Sequence, residues 1–284
     1  MNKVLACIDG SVYSQSVCDH AMWAALRLGA PLEFLHVLQR PPEVAATRDL
    51  SGNIGMGSQD SLLSELALLD EKRSKLAQQR GREMLDHVVR RAREQGVAGA
   101  EPRLRHGALV DTLTELEKDV RLFVLGKRGE HANFAKLHLG SRLERAVRAV
   151  HRPLLVASRQ FKQIQTFLIA FDGSETIRKG IEMIAASPLF KGLACHLVMA
   201  GADVDDARGQ IRWAHEKLAA GGFAVDSSIR SGSAETVISQ YVTANAIDVL
   251  VMGAYGHSRI RHLIVGSTTT AMIRTCLIPV LLLR

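Results

Sequence analysis

Residues 249–284 read VLVMGAYGHSRIRHLIVGSTTTAMIRTCLIPVLLLR, and this stretch decides the fold. Its first apolar run predicts a buried strand, and its last one predicts another. Gly253 and Gly256 follow the first run directly, and nine residues further on Gly266 and Ser267 precede a helical segment. Glycine lets a ligand approach the backbone, and the start of a helix offers free N–H groups and a favourable dipole to an anion. The spacing therefore predicts a phosphate-binding loop behind a strand.

A second copy of this arrangement lies in the first half of the chain. The apolar residues 122–125 lead into Gly126 and Gly129, and ten residues separate Gly129 from the pair Gly140-Ser141. One glycine pair behind a strand is common, but two copies that both continue into Gly-Ser and a helix predict two related anion sites. The extra loop residue in the first copy would shift the N–H donors, so we expect the second copy to bind more tightly.

The region before each glycine motif is repeated as well. Residues 4–11, VLACIDGS, correspond to residues 167–174, FLIAFDGS. This repeat predicts two domains, residues 1–160 and residues 161–284. The first copy is longer between its two motifs, which predicts an insertion over about residues 40–75.

Each half alternates apolar strands with helical segments. This order predicts an α/β fold in which each half is a doubly wound, five-stranded parallel sheet with helices on both faces. Each half also ends in an apolar strand, residues 154–157 and 278–283, that would lie at the edge of its sheet. Exposed sheet edges invite pairing. We therefore expect the two last strands to meet, so that the halves form an intramolecular pseudo-dimer.

The insertion divides into two parts. Residues 40–59 contain two prolines and three glycines, which predicts a mobile loop that folds over the first pocket as a lid. Residues 60–95 have a helical pattern with apolar positions along one side, at Leu62, Leu66, Leu69, Leu76, Met84, Val88 and Ala92. We expect the many charges of this helix to form its solvated face.

Composition disfavours several classes of protein. Hydrophobic residues make up 47% of the 284 residues and charged residues 23%, as in an ordinary globular protein. The four cysteines are scattered without metal-binding spacing, which disfavours a disulfide framework or a zinc site and predicts a cytoplasmic location. No apolar run reaches the length of a membrane span. The net charge of +7 comes without a basic block or many aromatic residues, so nucleic acid is disfavoured as a partner.

The two glycine motifs and the repeated Asp-Gly-Ser resemble those of the universal stress protein family, in particular its tandem members with two domains in one chain. The resemblance covers nearly the whole chain apart from residues 40–59. It implies Rossmann-like domains, similar to adenine nucleotide alpha hydrolases, that hold ATP or AMP, with or without Mg²⁺, at the carboxyl ends of the strands. It also implies a stress-response regulator with a protein partner of unknown kind.

The resemblance implies a role for each motif residue. In the second half, Asp172 would lie at the adenosine end of the pocket, and Val198 would lie against adenine, its backbone reading the base. The ribose and phosphates would be bound by Gly253, Gly256, Gly266 and Ser267, with the hydroxyl of Thr268 beside them. The counterparts in the first half are Asp9, Val37, Gly126, Gly129, Gly140 and Ser141.

Two roles stay open at the level of single residues. Asp9 and Asp172 could cap the helices that follow them instead of binding a ligand. Lys127 and Arg128 could contact phosphate in the first half or lie exposed on a turn.

The function also leaves alternatives. The sequence has no GxxxxGK[ST] loop and no evident catalytic triad, so slow ATP hydrolysis is the most that we expect of the site. The chain could instead be an interaction scaffold with vestigial pockets, which would bind no adenine nucleotide. It could also be an enzyme that adenylates a substrate, which would release pyrophosphate. A homodimer of the full chain is open as well.

Overall fold

A computed structural model describes residues 2–38, 56–129, 141–254 and 267–284, without the side chains of residues 56–63, Ser141 and Ser267. The elements of the first half are β1 (Lys3–Cys7), α1 (Ser14–Leu28), β2 (Leu32–Leu38), α2 (Met56–Glu94), β3 (Ala100–His106), α3 (Leu109–Leu116), β4 (Val120–Gly126), α4 (Ser141–Ala149) and β5 (Leu154–Ala157). Those of the second half are β6 (Thr166–Phe171), α5 (Glu175–Ala186), β7 (Ala194–Ala200), α6 (Asp205–Ala220), β8 (Val225–Arg230), α7 (Ala234–Ala244), β9 (Val249–Gly253), α8 (Ser267–Thr275) and β10 (Val280–Leu283).

The described strands form a single sheet in the order β3-β2-β1-β4-β5-β10-β9-β6-β7-β8. Within each half all neighbours are parallel, which confirms the predicted α/β class. The halves join where β5 and β10 pair antiparallel, with Leu155 opposite Leu281. The prediction that the two last strands meet is therefore confirmed, and the edge of each half is covered by the other.

Two apolar cores, one on each face of the sheet, run across this junction. The first is covered by α1, α2, α5 and α6, and the second by α3, α4, α7 and α8. In the first core Phe190 links the halves, because its ring stacks on Phe167 at 4.5 Å and lies 6.1 Å from Trp23 of α1. Arg27 of α1 adds a polar link, since its Nε donates to the carbonyl of Leu189 at 2.8 Å.

The insertion differs from its prediction. Helix α2 already begins at Met56, so residues 56–59 belong to the helix and not to the predicted loop. Residues 40–55 of the predicted lid lie outside the described residues. The apolar side of α2 is packed only near its C-terminal end, at Leu85, Val88, Val89 and Ala92. Leu66, Leu69 and Leu76 of the predicted apolar side are exposed, so this side is not packed along its whole length.

Within the described ranges, no helix combines the length and the apolar character that crossing a membrane requires.

Candidate functional site

The predicted site residues lie at one edge of the sheet. Gly126 is the last residue of β4, and Asp9 follows the neighbouring strand β1 by two residues. In the second half, Gly253 ends β9 and Asp172 directly follows the neighbouring strand β6. Because parallel neighbours end on the same side of a sheet, each pair is brought together at the place where open α/β sheets bind their ligands.

In the first half, Asp9 is held in a tight turn. Its Oδ1 accepts a hydrogen bond from the N–H of Ser11 at 3.0 Å, and the hydroxyl of Ser14 donates to its backbone carbonyl. The other carboxylate oxygen faces Gly129, where an added Cβ atom would lie 3.0 Å from Oδ2 and 3.9 Å from Nη1 of Arg142. The structure thus brings Asp9, Gly129 and Arg142 together beyond the carboxyl ends of β1 and β4.

Gly126 in the same half is covered by a side chain. A Cβ atom on Gly126 would lie only 2.8 Å from Cβ and 3.4 Å from Cγ of Tyr13. Tyr13 is half-buried and packs against the first core, which holds its ring in this place. The first glycine of the first motif is therefore in close contact with a half-buried aromatic side chain.

In the second half, the turn after β6 has a different construction. Asp172 is exposed, and its Oδ1 accepts from the N–H of Ser174 at 3.0 Å. Gly173 is in the left-handed region with φ 73°, where an added Cβ atom would lie 1.9 Å from Oε1 of Gln210. Arg178 donates from Nε to the carbonyl of Gly173 at 3.0 Å, and its guanidinium lies 4.7 Å from the ring centre of Trp213. Side chains of α5 and α6 thereby hold this turn in place.

Neither aspartate caps a helix, which removes one of the open alternatives. The cap position of α5 is Ser174, whose hydroxyl accepts from the N–H of Ile177 at 3.4 Å. The cap position of α1 is Tyr13, which makes no side-chain capping bond. Asp9 and Asp172 instead each bond the N–H of the serine two residues later. In the second half this leaves the carboxylate of Asp172 at the surface of the site.

Among the described residues, the neighbours of Gly253 are less crowded than those of Gly126. In this part of the chain, an added Cβ atom on Gly253 would meet only Cγ2 of Thr176, at 3.7 Å. Thr176 stands four residues after Asp172, just as Tyr13 stands four residues after Asp9. The two halves therefore differ at one equivalent position, where a small side chain replaces a large one.

The start of α8 is anchored beside the end of β9. Thr269 is 3% exposed, and its hydroxyl donates to the carbonyl of Ala254 at 3.1 Å and approaches that of Gly253 at 3.4 Å. Thr268, the predicted ligand-binding neighbour, is half-buried. The N–H groups of the first turn of α8 are thus held near the strand end, as a phosphate site requires.

The two predicted adenine residues differ in burial. Val198 is 1% exposed and belongs to the second core, and it stands between Ala170 and Ser228 in the sheet. Its counterpart Val37 in β2 is half-buried and packs against the same core. The side chain of Val198 is therefore part of the core, and adenine contact at its backbone stays a prediction.

Some predicted residues lie outside the described ranges. These are Gly140, Gly256 and Gly266. Ser141 and Ser267, which follow two of them, are the first residues of α4 and α8. The prediction of a helix start after each Gly-Ser pair is thus met in the described part.

Lys127 fits neither of the roles considered for it. Although it directly follows Gly126, its side chain is buried, and its ammonium donates to the carbonyl of Cys276 in the other half. Cys276 directly follows α8, and its N–H donates to the carbonyl of Met272 at 2.9 Å. Burial lowers the pKa of Lys127. A helix C-terminus favours a cation, so this lysine stabilises the junction of the halves and does not point to a ligand.

The described residues support neither a metal centre nor a reactive thiol. Among the described residues no cluster of three or more His, Cys, Asp or Glu could hold a metal ion. All four cysteines are free, and burial raises the pKa of the Cys18 and Cys195 thiols to about 12.

Sequence reasoning missed Tyr13, Thr176 and Thr269, because the motif consists of glycines and serines only. Aligning the two copies from Asp9 and Asp172 would have revealed the Tyr13–Thr176 difference.

Several known proteins are similar to this chain. The model described as "Universal stress protein family" matches residues 1–158 and 163–284. Universal stress protein Slr1230 of Synechocystis is 37% identical over 287 residues, which span the whole of both proteins. A crystal structure of a universal stress protein from Archaeoglobus fulgidus has a TM-score of 0.70 at 21% identity, covering 99% of this chain and 97% of its own. A putative universal stress protein from Pseudomonas aeruginosa has a TM-score of 0.64 at 16% identity, covering 100% and 93%. These two structures share the fold.

Proposed function

The chain belongs to the universal stress protein family, and we propose that it is a stress-response regulator whose second half binds an adenine nucleotide, ATP or AMP. We further propose that residues 1–160 and 161–284 act as two domains with unequal sites. Binding, rather than rapid turnover, is the role we assign to the second site, with slow ATP hydrolysis as its upper limit.

One observation carries the proposal: among the described residues, the glycine that ends β9 has a small side chain beside it, whereas its counterpart in β4 has a tyrosine. An added Cβ atom on Gly253 would lie 3.7 Å from Thr176, and one on Gly126 would lie 2.8 Å from Tyr13. A phosphate bound by backbone N–H groups needs close approach to the chain. The described residues of the second half therefore leave more space beside this glycine than those of the first half, which supports the proposal.

The described residues suggest how the second site would work. The first turn of α8, fixed by Thr269, would direct its free N–H groups and positive dipole end toward the phosphates. The exposed carboxylate of Asp172 could accept hydrogen bonds from the ribose hydroxyls. Mg²⁺, when present, would be bound mainly by the phosphates and water.

Titration calorimetry with ATP on paired glycine variants tests this proposal. Gly256→Val places a branched side chain in the second loop, and we expect it to weaken binding by more than about 100-fold. The matched variant Gly129→Val alters the first loop, and we expect most of the ATP binding to remain. Circular dichroism establishes that both variants are folded. Mass spectrometry of any nucleotide that co-purifies would identify the natural ligand.

Two results would contradict the proposal in different ways. The reverse ranking of the variants would make the ten-residue loop of the first half the working site. Failure of the wild type to bind ATP, ADP or AMP would favour the interaction scaffold.

A further inference from the structure

A cleft lies between the two halves, at the C-terminal ends of α1 and α5. It consists of an outer cavity of about 520 Å³ and an inner cavity of about 50 Å³. The outer volume lies in the range of small-molecule sites, roughly 300–1,000 Å³. The two cavities adjoin, because Leu28, Arg121, Pro153 and Met183 line both of them. The described residues assigned to the nucleotide line neither cavity, so the cleft is a separate candidate site.

The inner cavity has an apolar wall. This wall includes buried side chains from both halves, namely Leu122, Ile184, Leu189, Phe190 and Leu281. Among its described lining residues, only Arg121 and Ser187 have polar side chains. Hydrocarbon groups are stabilised by removal from water into such surroundings. The inner cavity therefore suits the end of an alkyl chain.

The outer cavity adds positive charge. Arg121 and Arg152 line it, both are exposed, and neither guanidinium forms a hydrogen bond or an ion pair with another described residue. The described lining of this cavity contains no acidic side chain. A guanidinium binds a carboxylate through two parallel hydrogen bonds. The outer cavity therefore favours an anionic head group.

The surroundings of the cleft do not reverse this preference. The end of α1 lines the outer cavity, and a helix C-terminus disfavours an anion. Here, however, the N–H groups of Gly29 and Ala30 already bond the carbonyls of Leu26 and Ala25, at 3.3 and 3.0 Å. Residues 255–266, which continue from the end of β9 at this edge of the sheet, contain two arginines and no acidic residue. The two cavity arginines therefore determine the sign of the charge.

We propose that this cleft binds a fatty acid of medium chain length. Its carboxylate lies on Arg121 and Arg152, and its alkyl chain runs between α1 and α5 and ends in the inner cavity. Met183 is 40% exposed and lines both cavities, so the bound chain covers it. The two cations and the apolar wall thus recognise the two ends of one molecule. The proposal does not depend on nucleotide binding.

Titration calorimetry of the full chain with octanoate tests the role of charge. Arg121→Gln and Arg152→Gln should each weaken binding by about tenfold or more, because each removes charge-assisted hydrogen bonds. Arg212→Gln is the matched control and should bind like the wild type, since Arg212 is exposed on α6 and lines neither cavity. All three arginines are exposed, so the variants are expected to fold.

Octylamine has the same chain length as octanoate and the opposite charge, and we expect it not to bind measurably. A wild type that does not bind octanoate, or that binds octylamine equally well, would overturn the proposal. The same conclusion would follow if the two cavity variants bound octanoate as tightly as the control.

A series from hexanoate to decanoate tests the apolar wall. The Kd should fall by about threefold to fourfold for each added methylene until the inner cavity is filled. Met183→Glu places a negative charge beside the alkyl chain and should weaken octanoate binding by about tenfold or more, whereas Met183→Leu stays apolar and should change it by less than about threefold. An affinity that does not change with chain length would mean that the arginines bind carboxylate alone, and it would contradict the proposal.

Discussion

Tyr13 and Thr176 occupy the same position in the two halves, four residues after the aspartate, yet they produce different surroundings for the glycine that ends the neighbouring strand. The tyrosine lies against Gly126, whereas among the described residues Gly253 has only the small threonine beside it. Both halves keep the glycine motif. The comparison teaches that access to a backbone site depends on a side chain that is not part of the motif.

The turns that precede these residues differ as well. In the second half Gly173 takes a left-handed conformation, and α5 starts two residues later, at Glu175. In the first half Gly10 is not in the left-handed region, and α1 starts only at Ser14, whose hydroxyl bonds Asp9. The same Asp-Gly-Ser sequence therefore forms two different turns.

The largest effect on stability is expected at the junction of the halves. Each half has one cation that donates to the carbonyl of the residue directly after a helix of the other half: Lys127 to Cys276, and Arg284 to Val150 at 2.6 Å. Lys127 is buried and Arg284 is exposed. Lys127→Met leaves a buried carbonyl without this donor, so urea denaturation should show a loss of about 1–3 kcal/mol.

Arg284→Met is the control for this variant. Water can replace an exposed donor, so its loss should stay below about 1 kcal/mol. Equal losses in the two variants would mean that the buried ammonium is no more important to the junction than the exposed guanidinium.

An intermediate effect is expected from the two glycines of the repeated turn. Gly173→Ala forces an L-residue into the left-handed region and displaces Gln210, which should cost about 1–2 kcal/mol in thermal or urea unfolding. Gly10→Ala, in a conformation that is not left-handed, should cost less than about 1 kcal/mol. If the two substitutions cost the same, the two turns do not differ in the way described.

The smallest predicted effect is a pH dependence of stability that arises in the first half. His20 in α1 is fully buried, with Nδ1 2.7 Å from the carbonyl of Ser16, and among the described residues its Nε2 has no hydrogen-bond partner. Burial lowers the pKa of His20. The unfolded chain therefore binds a proton below about pH 6.5 that the folded chain does not.

The free energy of unfolding should therefore fall as pH drops below about 6.5. His20 contributes at most about 1.4 kcal/mol per pH unit to this fall. His20→Met introduces the residue that the second half has at the equivalent position, Met183. In this variant the free energy of unfolding, measured with urea, should depend less on pH below about 6.5. An unchanged slope would show that His20 does not titrate as its burial requires.

The hydrophobic pattern of the sequence predicted a strand well where that strand is buried between two neighbours. Strand β5 has the predicted bounds, residues 154–157, because this run is buried between two neighbouring strands. Strand β10 starts at Val280, later than predicted, because Pro279 has no N–H to donate to the sheet. The repeat also predicted the β5–β10 junction, since both last strands needed a cover.

Periodicity could not tell where an apolar stripe finds its partner. Leu66 and Leu76 of α2 share the helical spacing of a core side, but they are exposed, and only the part near Val88 meets the sheet. For Lys127, closeness in the sequence suggested the wrong contact. Its neighbour Gly126 suggested a phosphate contact, whereas its partner Cys276 is 149 residues away.

The exchange of Tyr13 and Thr176 is the most direct test of the central claim, that the second half binds the nucleotide because its glycine is open. The measurement is ATP titration calorimetry on the wild type, on Thr176→Tyr and on Tyr13→Thr. We expect Thr176→Tyr to cover Gly253 as Tyr13 covers Gly126 and to weaken binding at the second site by more than about tenfold, while Tyr13→Thr leaves that site unchanged. Unchanged ATP binding by a folded Thr176→Tyr chain would contradict the account.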